Sequence, residues 1–223
     1  MVFILRKQRP EELEEYIERE ILTSYHDFDK AHDLSHVKNV IDYALELGSE
    51  FEEINQDLVY TAAAYHDLGL SHSREKHHQY SAQIVKEDEQ LQKYFSEQEI
   101  EIISDACYHH RSSSEEKAKR LTSQIVADAD SMDGLTIERM IIRAWNYGLE
   151  NYEDKSISEL YDNMYQHLIS KYGKNGYAYQ SLYLKETKEL FAEEIKRAQR
   201  TLAQKNKFKS LFKSLIQKKE IEI

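Results

Sequence analysis

Helix-breaking residues are almost absent from this chain, and their scarcity limits the folds that it can adopt. Its 223 residues include one proline, Pro10, and only six glycines. Glutamate, lysine, leucine, isoleucine and alanine, which favour helices, are common. The chain is also long enough to bury one sizeable core. The composition therefore predicts an all-α protein.

Apolar residues recur at helical spacing between start and stop signals along the whole chain. Two of the starts, Ser96 with Glu99 and Ser156 with Glu159, match capping boxes. Glu115 and Glu116 are expected to begin another helix. The predicted helices cover residues 10–23, 34–47, 55–67, 74–87, 96–110, a segment that includes 121–129, 135–147, 156–172 and 178–219, the last as one long helix or two in line.

Charge and cysteine content narrow the class of protein. The formal net charge of −11 argues against general nucleic-acid binding, so we expect no stable complex with nucleic acid. The single cysteine, Cys107, excludes an internal disulfide and fits a reducing compartment. The first residues lack a signal-peptide pattern, and no apolar run is long enough to span a membrane. These features predict a cytoplasmic protein.

Histidines and aspartates gather near the ends of predicted helices in the first two-thirds of the chain. They come from several different helices, and a helical bundle can direct such side chains into one cleft. Imidazole and carboxylate groups without a thiolate suit Mn, Fe, Co, Ni or Zn, or Mg with more oxygen ligands. The group consists of His36, His66, Asp67, His77, His78, His109, His110, Asp128, Asp130 and Asp133.

The pair His66–Asp67 ends an alanine-rich apolar helix and is followed closely by Gly69. A buried aspartate at that position is costly unless it is paired or bound to a metal. A satisfied core histidine beside a helix-ending aspartate is the alternative, and the pair by itself favours it. The earlier pair His32–Asp33 precedes an apolar run, which predicts a helix cap for Asp33 and a loop or the rim of a cleft for His32.

Several common active-site motifs are missing from the sequence. No P-loop, dinucleotide-binding glycine motif or Gly-x-Ser-x-Gly nucleophile elbow is present. Cys107 lies on an apolar helix face, which indicates a buried structural thiol rather than a nucleophile.

The order His36, His66–Asp67, Asp130 resembles the H…HD…D pattern of the HD-domain metal-dependent phosphohydrolase superfamily. The residues around each position, 31–40, 64–69 and 129–133, are similar to that family's motifs as well. The resemblance implies a helical bundle over residues 1–175 with a metal site within about 30–135. Residues 176–223 would form a C-terminal helical extension packed on the same domain.

The resemblance implies that His36, His66, Asp67 and Asp130 hold a divalent ion. Some HD families add two histidines and a second ion in an H…HD…H…H…D pattern. Here three histidines, His77, His109 and His110, fall in those two positions. A one-metal site whose extra histidines face solvent or substrate is the alternative, so one or two ions per chain remain open. The Gly-Tyr-Pro motif of HD-GYP phosphodiesterases is absent, so specificity for cyclic dinucleotides is not implied.

The resemblance implies hydrolysis of a small phosphate ester or nucleotide by a metal-activated water. Arg74, Lys76 and Arg111 are expected to contact the phosphate. Asp133 and Asp128 are expected to support the ligands, although a helix-end role is the alternative for both and is favoured for Asp128.

Two functions from other classes remain open at this stage. One is an HD-type di-iron oxygenase, and the other is a non-catalytic nucleotide-binding module. The Glu-Asp pair that follows the doublet in (p)ppGpp hydrolases is replaced here by Leu68–Gly69. The oligomeric state is open between a monomer and a homodimer. The lysine-rich end, beyond Gln204, has two interpretations. It could dock on a membrane or on nucleic acid as a basic amphipathic helix. The overall acidity instead favours a helix that packs on the protein's own core or forms an oligomer contact.

Overall fold

The computed structural model describes residues 9–29, 32–112 and 116–218, with side chains to residue 216. In these ranges the chain is mainly helical and contains no strand, so the predicted all-α fold is confirmed. The helices are α1 (Glu11–Tyr16), α2 (Leu34–Gly48), α3 (Gln56–Tyr65), α4 (His77–Glu87), α5 (Glu97–His109), α6 (Leu121–Met132), α7 (Ile137–Asn151), α8 (Ile157–Tyr172), α9 (Tyr177–Gln180), α10 (Lys185–Leu190), α11 (Ala192–Leu202) and α12 (Lys205–Lys218). Shorter helical turns span Ile17–Ile21 (π) and Leu22–Asp27, Leu68–Ser71 and Leu91–Lys93 (3-10).

Helix α3 lies at the centre of the first of two hydrophobic cores. It packs against α2, α5 and α6, and every residue from Leu58 to Tyr65 is buried. Its small alanines, Ala62 to Ala64, allow those neighbours to approach closely. Because α3 runs through the core, the pair His66–Asp67 at its end lies inside the bundle.

A second hydrophobic core forms between α7, α8, α11 and α12. The indole of Trp145 and the ring of Phe208 are its largest fully buried side chains. Phe212 of α12 meets Trp145 edge to face, with ring centroids 4.9 Å apart. The basic C-terminal helix therefore packs its apolar side on the molecule's own core.

Helix starts agree with the sequence patterns where side-chain caps were predicted. Ser96 with Glu99 and Ser156 with Glu159 both form complete capping boxes. The carboxylate of Asp33 accepts from the amide of His36 and caps α2, as its position before the apolar run predicts. Glu115 lies outside the described residues, and the next helix begins only at Leu121.

The C-terminal region differs from the prediction of one long helix or two in line. Residues 177–218 instead form four helices, α9 to α12. The backbone amides of Tyr183 and Leu184 donate to the carboxylate of Asp128, at 2.8 and 2.9 Å, which holds this segment out of a helix. A second break falls at Phe191, whose φ of −97° and ψ of 9° leave the helical region. At the first break, tertiary hydrogen bonds to Asp128 override a helical propensity that is continuous in the sequence. Lys219, the predicted end, lies outside the described residues.

Among the described residues, no helix combines the length and the apolar character that crossing a bilayer requires. The first eight residues, where the sequence lacks a signal-peptide pattern, lie outside the described ranges.

Candidate metal centre

The carboxylate of Asp67 lies between four imidazole nitrogens. Its Oδ2 is 3.2 Å from Nε2 of His66 and 3.6 Å from Nε2 of His36. Its Oδ1 is 3.4 Å from Nε2 of His77 and 3.5 Å from Nε2 of His110. The side chain of His77 is 13% exposed, and the other four residues are buried. Two groups of three ligands, each compact enough to hold one ion, therefore share Asp67.

Four helices deliver these side chains to one point. His36 comes from the first turn of α2, His66 and Asp67 follow the end of α3, His77 begins α4, and His110 follows the end of α5. This is the arrangement expected when a bundle directs helix ends into a shared cleft.

Gly69 allows the start of α4 to approach the His66–Asp67 pair. A β-carbon at this position would lie 2.0 Å from the carbonyl oxygen of His77 and 2.6 Å from the amide nitrogen of Ser81. The amide of Gly69 donates to the hydroxyl of Ser81 at 2.9 Å, which joins the two segments. Only glycine leaves room for this contact, so Gly69 sets the distance between Asp67 and His77.

Each of the four histidines uses its Nδ1 atom for a hydrogen bond on the side away from Asp67. Carbonyl and carboxylate oxygens accept but cannot donate, so Nδ1 carries a proton in each ring and Nε2 is the atom that faces the centre. The pairs are His36 with Asp133 Oδ2 (2.8 Å), His66 with the carbonyl of Ala63 (2.7 Å), His77 with that of Arg74 (2.7 Å) and His110 with that of Cys107 (2.7 Å).

The Nε2 atoms also face each other in two pairs. His36 and His66 are 3.4 Å apart at Nε2, and His77 and His110 are 3.1 Å apart. Lone pairs at these distances repel unless a proton or a metal cation lies between them. The donor set of imidazole nitrogens and carboxylate oxygens therefore fits divalent ions such as Mn, Fe, Co, Ni or Zn.

The pKa values of two of these histidines are shifted in opposite directions. Burial alone would lower the pKa of His36, but hydrogen bonds to Asp130, Asp133 and Asp67 raise it to about 10. Burial also lowers the pKa of His77, to about 4, with the nearby charge of His110 acting in the same direction. The negative charge on the aspartates is thus available to balance a cation.

Asp130 and Asp133 flank His36 on its two nitrogen atoms. Asp130 Oδ1 lies 3.4 Å from Nε2 of His36, and its side chain is 25% exposed. Asp133 accepts from Nδ1 of His36, and its other oxygen accepts from Nδ2 of Asn39 at 2.8 Å. Burial raises the pKa of Asp133, but hydrogen bonds, that of His36 foremost, lower it to about 2. Asp133 therefore remains a carboxylate that orients His36.

Two arginines complete the surroundings of Asp133. Nη2 of Arg139 lies 2.9 Å from Asp133 Oδ2, and Nη1 of Arg143 lies 3.4 Å from the same atom. Neither arginine, nor Asn39, was among the sequence predictions. Their spacing could have indicated them. The two arginines are four residues apart on one face of α7, and Asn39 follows His36 by three residues on α2.

Asp128 and His109 do not reach this centre. Asp128 accepts from the amides of Tyr183 and Leu184 and from the hydroxyl of Thr187, at 2.8 to 2.9 Å, and so holds the start of α10. Nδ1 of His109 is turned towards the carbonyl of Asp105 at 3.0 Å, on a different side of α5. Of the two adjacent histidines, His110 faces Asp67.

The three cations predicted to contact phosphate occupy different surroundings. Arg74 lines a cavity beside the centre, pairs with Asp29 and lies 5.4 Å from the ring centroid of Tyr147. Nη1 of Arg111 donates to the carbonyl of Glu75 at 2.6 Å. Lys76 is exposed to solvent. Arg74 is the one of the three that lines the cavity.

The cavity has a volume of about 600 Å³ and extends from Asp130 to the faces of α7 and α8. His32, expected from the sequence in a loop or at the rim of a cleft, is part of its wall. Positive charge and aromatic surface both line it, from Arg74, Arg143, Lys171, Tyr147, Tyr152 and Tyr172. A ligand with an anionic group and a flat ring would find partners of both kinds here.

Comparison with known proteins finds one matching family model and three similar solved structures. Residues 33–135 match the family model of the HD domain. The Lin1889 protein from Listeria innocua is 22% identical with a TM-score of 0.55, covering 86% of this chain and 93% of its own. Bacillus subtilis YpgQ, crystallised in complex with ADP, is 15% identical with a TM-score of 0.57, and the match covers 94% of this chain and 96% of YpgQ. A predicted HD superfamily hydrolase from an uncultured Thermotogales bacterium is 24% identical with a TM-score of 0.48, covering 71% and 93%. No curated protein matches the chain.

Proposed function

Because the chain belongs to the HD-domain superfamily, as its motifs predict and the family model confirms, we propose that it hydrolyses a small phosphate ester or nucleotide. The family supports a metal-dependent hydrolase in general. The observation that carries the proposal is the carboxylate of Asp67 placed between four imidazole Nε2 atoms.

The ligands divide into two groups around this carboxylate. His36, His66 and Oδ2 of Asp67 would hold one ion, and Asp130 beside His36 would complete it. His77, His110 and Oδ1 of Asp67 would hold a second. Divalent ions bound there would lower the pKa of water to near neutrality and offset negative charge on a phosphoryl group.

The chain's own residues would position the substrate. Arg74 and Arg143 line the cavity beside Asp130, and guanidinium groups donate two parallel hydrogen bonds to phosphoryl oxygens. Tyr147 and Tyr152 offer ring surface in the same cavity, where an aromatic base could stack. That YpgQ, a protein of similar fold, binds ADP supports a nucleotide as the occupant.

The test is a hydrolysis assay on metal-loaded protein. Purified chain would be supplied in turn with Mn, Co, Ni, Fe, Zn and Mg, and offered p-nitrophenyl phosphate and nucleoside mono-, di- and triphosphates. We expect release of phosphate or pyrophosphate that a chelator abolishes and added metal restores. Tight nucleotide binding without turnover under every metal would contradict hydrolysis and indicate a binding module.

The two ligand groups also favour a second candidate, an iron-dependent oxygenase. Two ions that share one carboxylate are equally suited to a di-iron centre, and histidine-carboxylate sets bind iron well. Oxygen consumption separates the two functions, because hydrolysis proceeds without oxygen. Undiminished turnover of a phosphate ester by iron-loaded protein under strict anaerobiosis would exclude the oxygenase for that substrate.

A further inference from the structure

We propose that Tyr25 is a positioning residue that holds the His66–Asp67 pair in its ligand geometry. The inference rests on the proposed metal centre and assigns it a support outside the HD motifs. Tyr25 lies on the 3-10 helix Leu22–Asp27, and its side chain is fully buried. Its ring meets Phe28 edge to face, with centroids 5.1 Å apart.

The hydroxyl of Tyr25 joins two backbone groups at the end of α3. It donates to the carbonyl oxygen of Ala64 at 2.8 Å, and it accepts from the amide of Asp67 at 3.3 Å. One buried hydroxyl thus pairs with the carbonyl of Ala64 in the last turn of the helix and with the amide of Asp67, which follows it.

Side chains, rather than a further helical turn, end α3. In a continuing helix the amide of Asp67 would bond the carbonyl of Ala63, but that carbonyl accepts from Nδ1 of His66 at 2.7 Å. The backbone of Asp67 has left the helix, with φ of −109° and ψ of 2°. His66 and Tyr25 therefore take the two carbonyls that would otherwise extend the helix.

Removal of the hydroxyl would leave the carbonyl of Ala64 and the amide of Asp67 buried without this partner. Buried backbone groups are rarely left unpaired, so the chain around Asp67 would shift to find new ones. The carboxylate lies 3.2 to 3.6 Å from four Nε2 atoms, and a small rotation of its backbone would move it away from both ligand groups.

The chain offers two matched controls in the same part of the bundle. The hydroxyls of Tyr16 and Tyr65 both donate to Oδ2 of Asp88, each at 2.6 Å. Tyr65 immediately precedes His66, yet its hydroxyl is bonded to a side chain that the centre does not use. Tyr65→Phe and Tyr16→Phe therefore remove a hydroxyl from the same region and leave the backbone of Asp67 supported.

The experiment compares metal affinity across wild type, Tyr25→Phe, Tyr65→Phe and Tyr16→Phe. Calorimetric titration with Co²⁺ would measure the metal affinity. The visible absorption of bound Co²⁺ would report the geometry of its ligands, and thermal melts without metal would measure the stability of each variant. We expect Tyr25→Phe to bind Co²⁺ about tenfold more weakly with an altered spectrum. Both controls should bind Co²⁺ with an affinity within about twofold of the wild-type value, even where their melting temperatures fall as far as that of Tyr25→Phe.

Three results of the Co²⁺ titrations would overturn the proposal. Equal Co²⁺ affinity and spectra in wild type and Tyr25→Phe would remove the role of Tyr25 and leave the metal centre intact. An equal loss of Co²⁺ affinity in all three variants would show that the Tyr25 hydroxyl contributes only to general stability. Failure of wild type to bind any divalent ion would overturn the proposed function and this role together. If Tyr25→Phe does not fold, hydrogen exchange in wild type decides: the amide of Asp67 should be protected, and rapid exchange would contradict the contact.

Discussion

Nδ1 of His36 lies 2.8 Å from Oδ2 of Asp133, a residue 97 positions further along the chain. The other three histidines around Asp67 donate to carbonyls of their own chain segments, three residues back. His36 alone among them is oriented by a charged group. The carboxylate that orients it is in turn held by Asn39, Arg139 and Arg143.

Replacing Asp133 with alanine should therefore weaken metal binding, although all four imidazole ligands remain present in the chain. The Nδ1–H of His36 would lose its acceptor, and the ring would be free to turn. Changes to groups that orient metal ligands typically cost about 10- to 100-fold in affinity. Metal titration of Asp133→Ala against wild type measures the loss, and unchanged affinity would contradict the orienting role.

Asp128→Ala is the matched comparison, and it should lower stability without weakening metal binding. Its carboxylate accepts from the amides of Tyr183 and Leu184 and from Thr187, and none of these belongs to the centre. Leaving buried donors unpaired should lower stability by about 1–3 kcal/mol. Denaturant unfolding should show that loss, while metal affinity stays at the wild-type value. A selective loss of metal binding would show that Asp128 acts on the centre.

The adjacent histidines of α5 provide a sharper test of the second ion. His110→Ala should reduce the metal bound per chain, because His110 Nε2 lies 3.5 Å from Asp67 Oδ1. His109→Ala should not, because its ring faces Asp105. Plasma mass spectrometry on both variants and wild type measures the stoichiometry. Equal metal content in all three would restrict the site to the group around His36.

Gly69→Ala should disturb the centre through the backbone alone. The added β-carbon would lie 2.0 Å from the carbonyl of His77, so the start of α4 must move away from Asp67. We expect a destabilisation of about 1–3 kcal/mol and a loss of bound metal. Thermal melts and metal analysis of the same samples would measure both.

Gly148→Ala is the control for that substitution. Gly148 lies within helix α7, and the methyl added there would meet only Leu160 of α8, at 3.6 Å. Alanine is favoured over glycine in a helix interior, so this variant should be unchanged or more stable by up to about 1 kcal/mol. Wild-type stability in Gly69→Ala would show that α4 tolerates displacement and that the glycine does not set the spacing.

The sequence indicated the order of His36, His66, Asp67 and Asp130 because each stands at a helix end with its own local signal. It could not separate His109 from His110. Consecutive residues on a helix point about 100° apart, and only the packing of α5 decides which one faces Asp67. The metal-ligating role of these residues stays a prediction, as does the division of the chain at residue 175.

Contacts across long sequence distances were beyond the reach of local patterns. Tyr25 is 42 positions from Asp67, and Asp133 is 94 from Asn39, so neither pair leaves a periodic trace. The same reason explains the C-terminal region. Its helical propensity is continuous, but Asp128, 55 positions before Tyr183, fixes the chain in an extended turn.

The central proposal is that Asp67 would serve both metal-ligand groups of a hydrolytic centre, and Asp67→Ala tests it most directly. Metal per chain and hydrolysis of the best phosphate ester would be measured on the same samples of variant and wild type, with circular dichroism to show that both are folded. We predict metal-dependent hydrolysis in wild type and the loss of both bound metal and hydrolysis in the variant. A folded Asp67→Ala protein that retains metal and full hydrolytic activity would contradict the account.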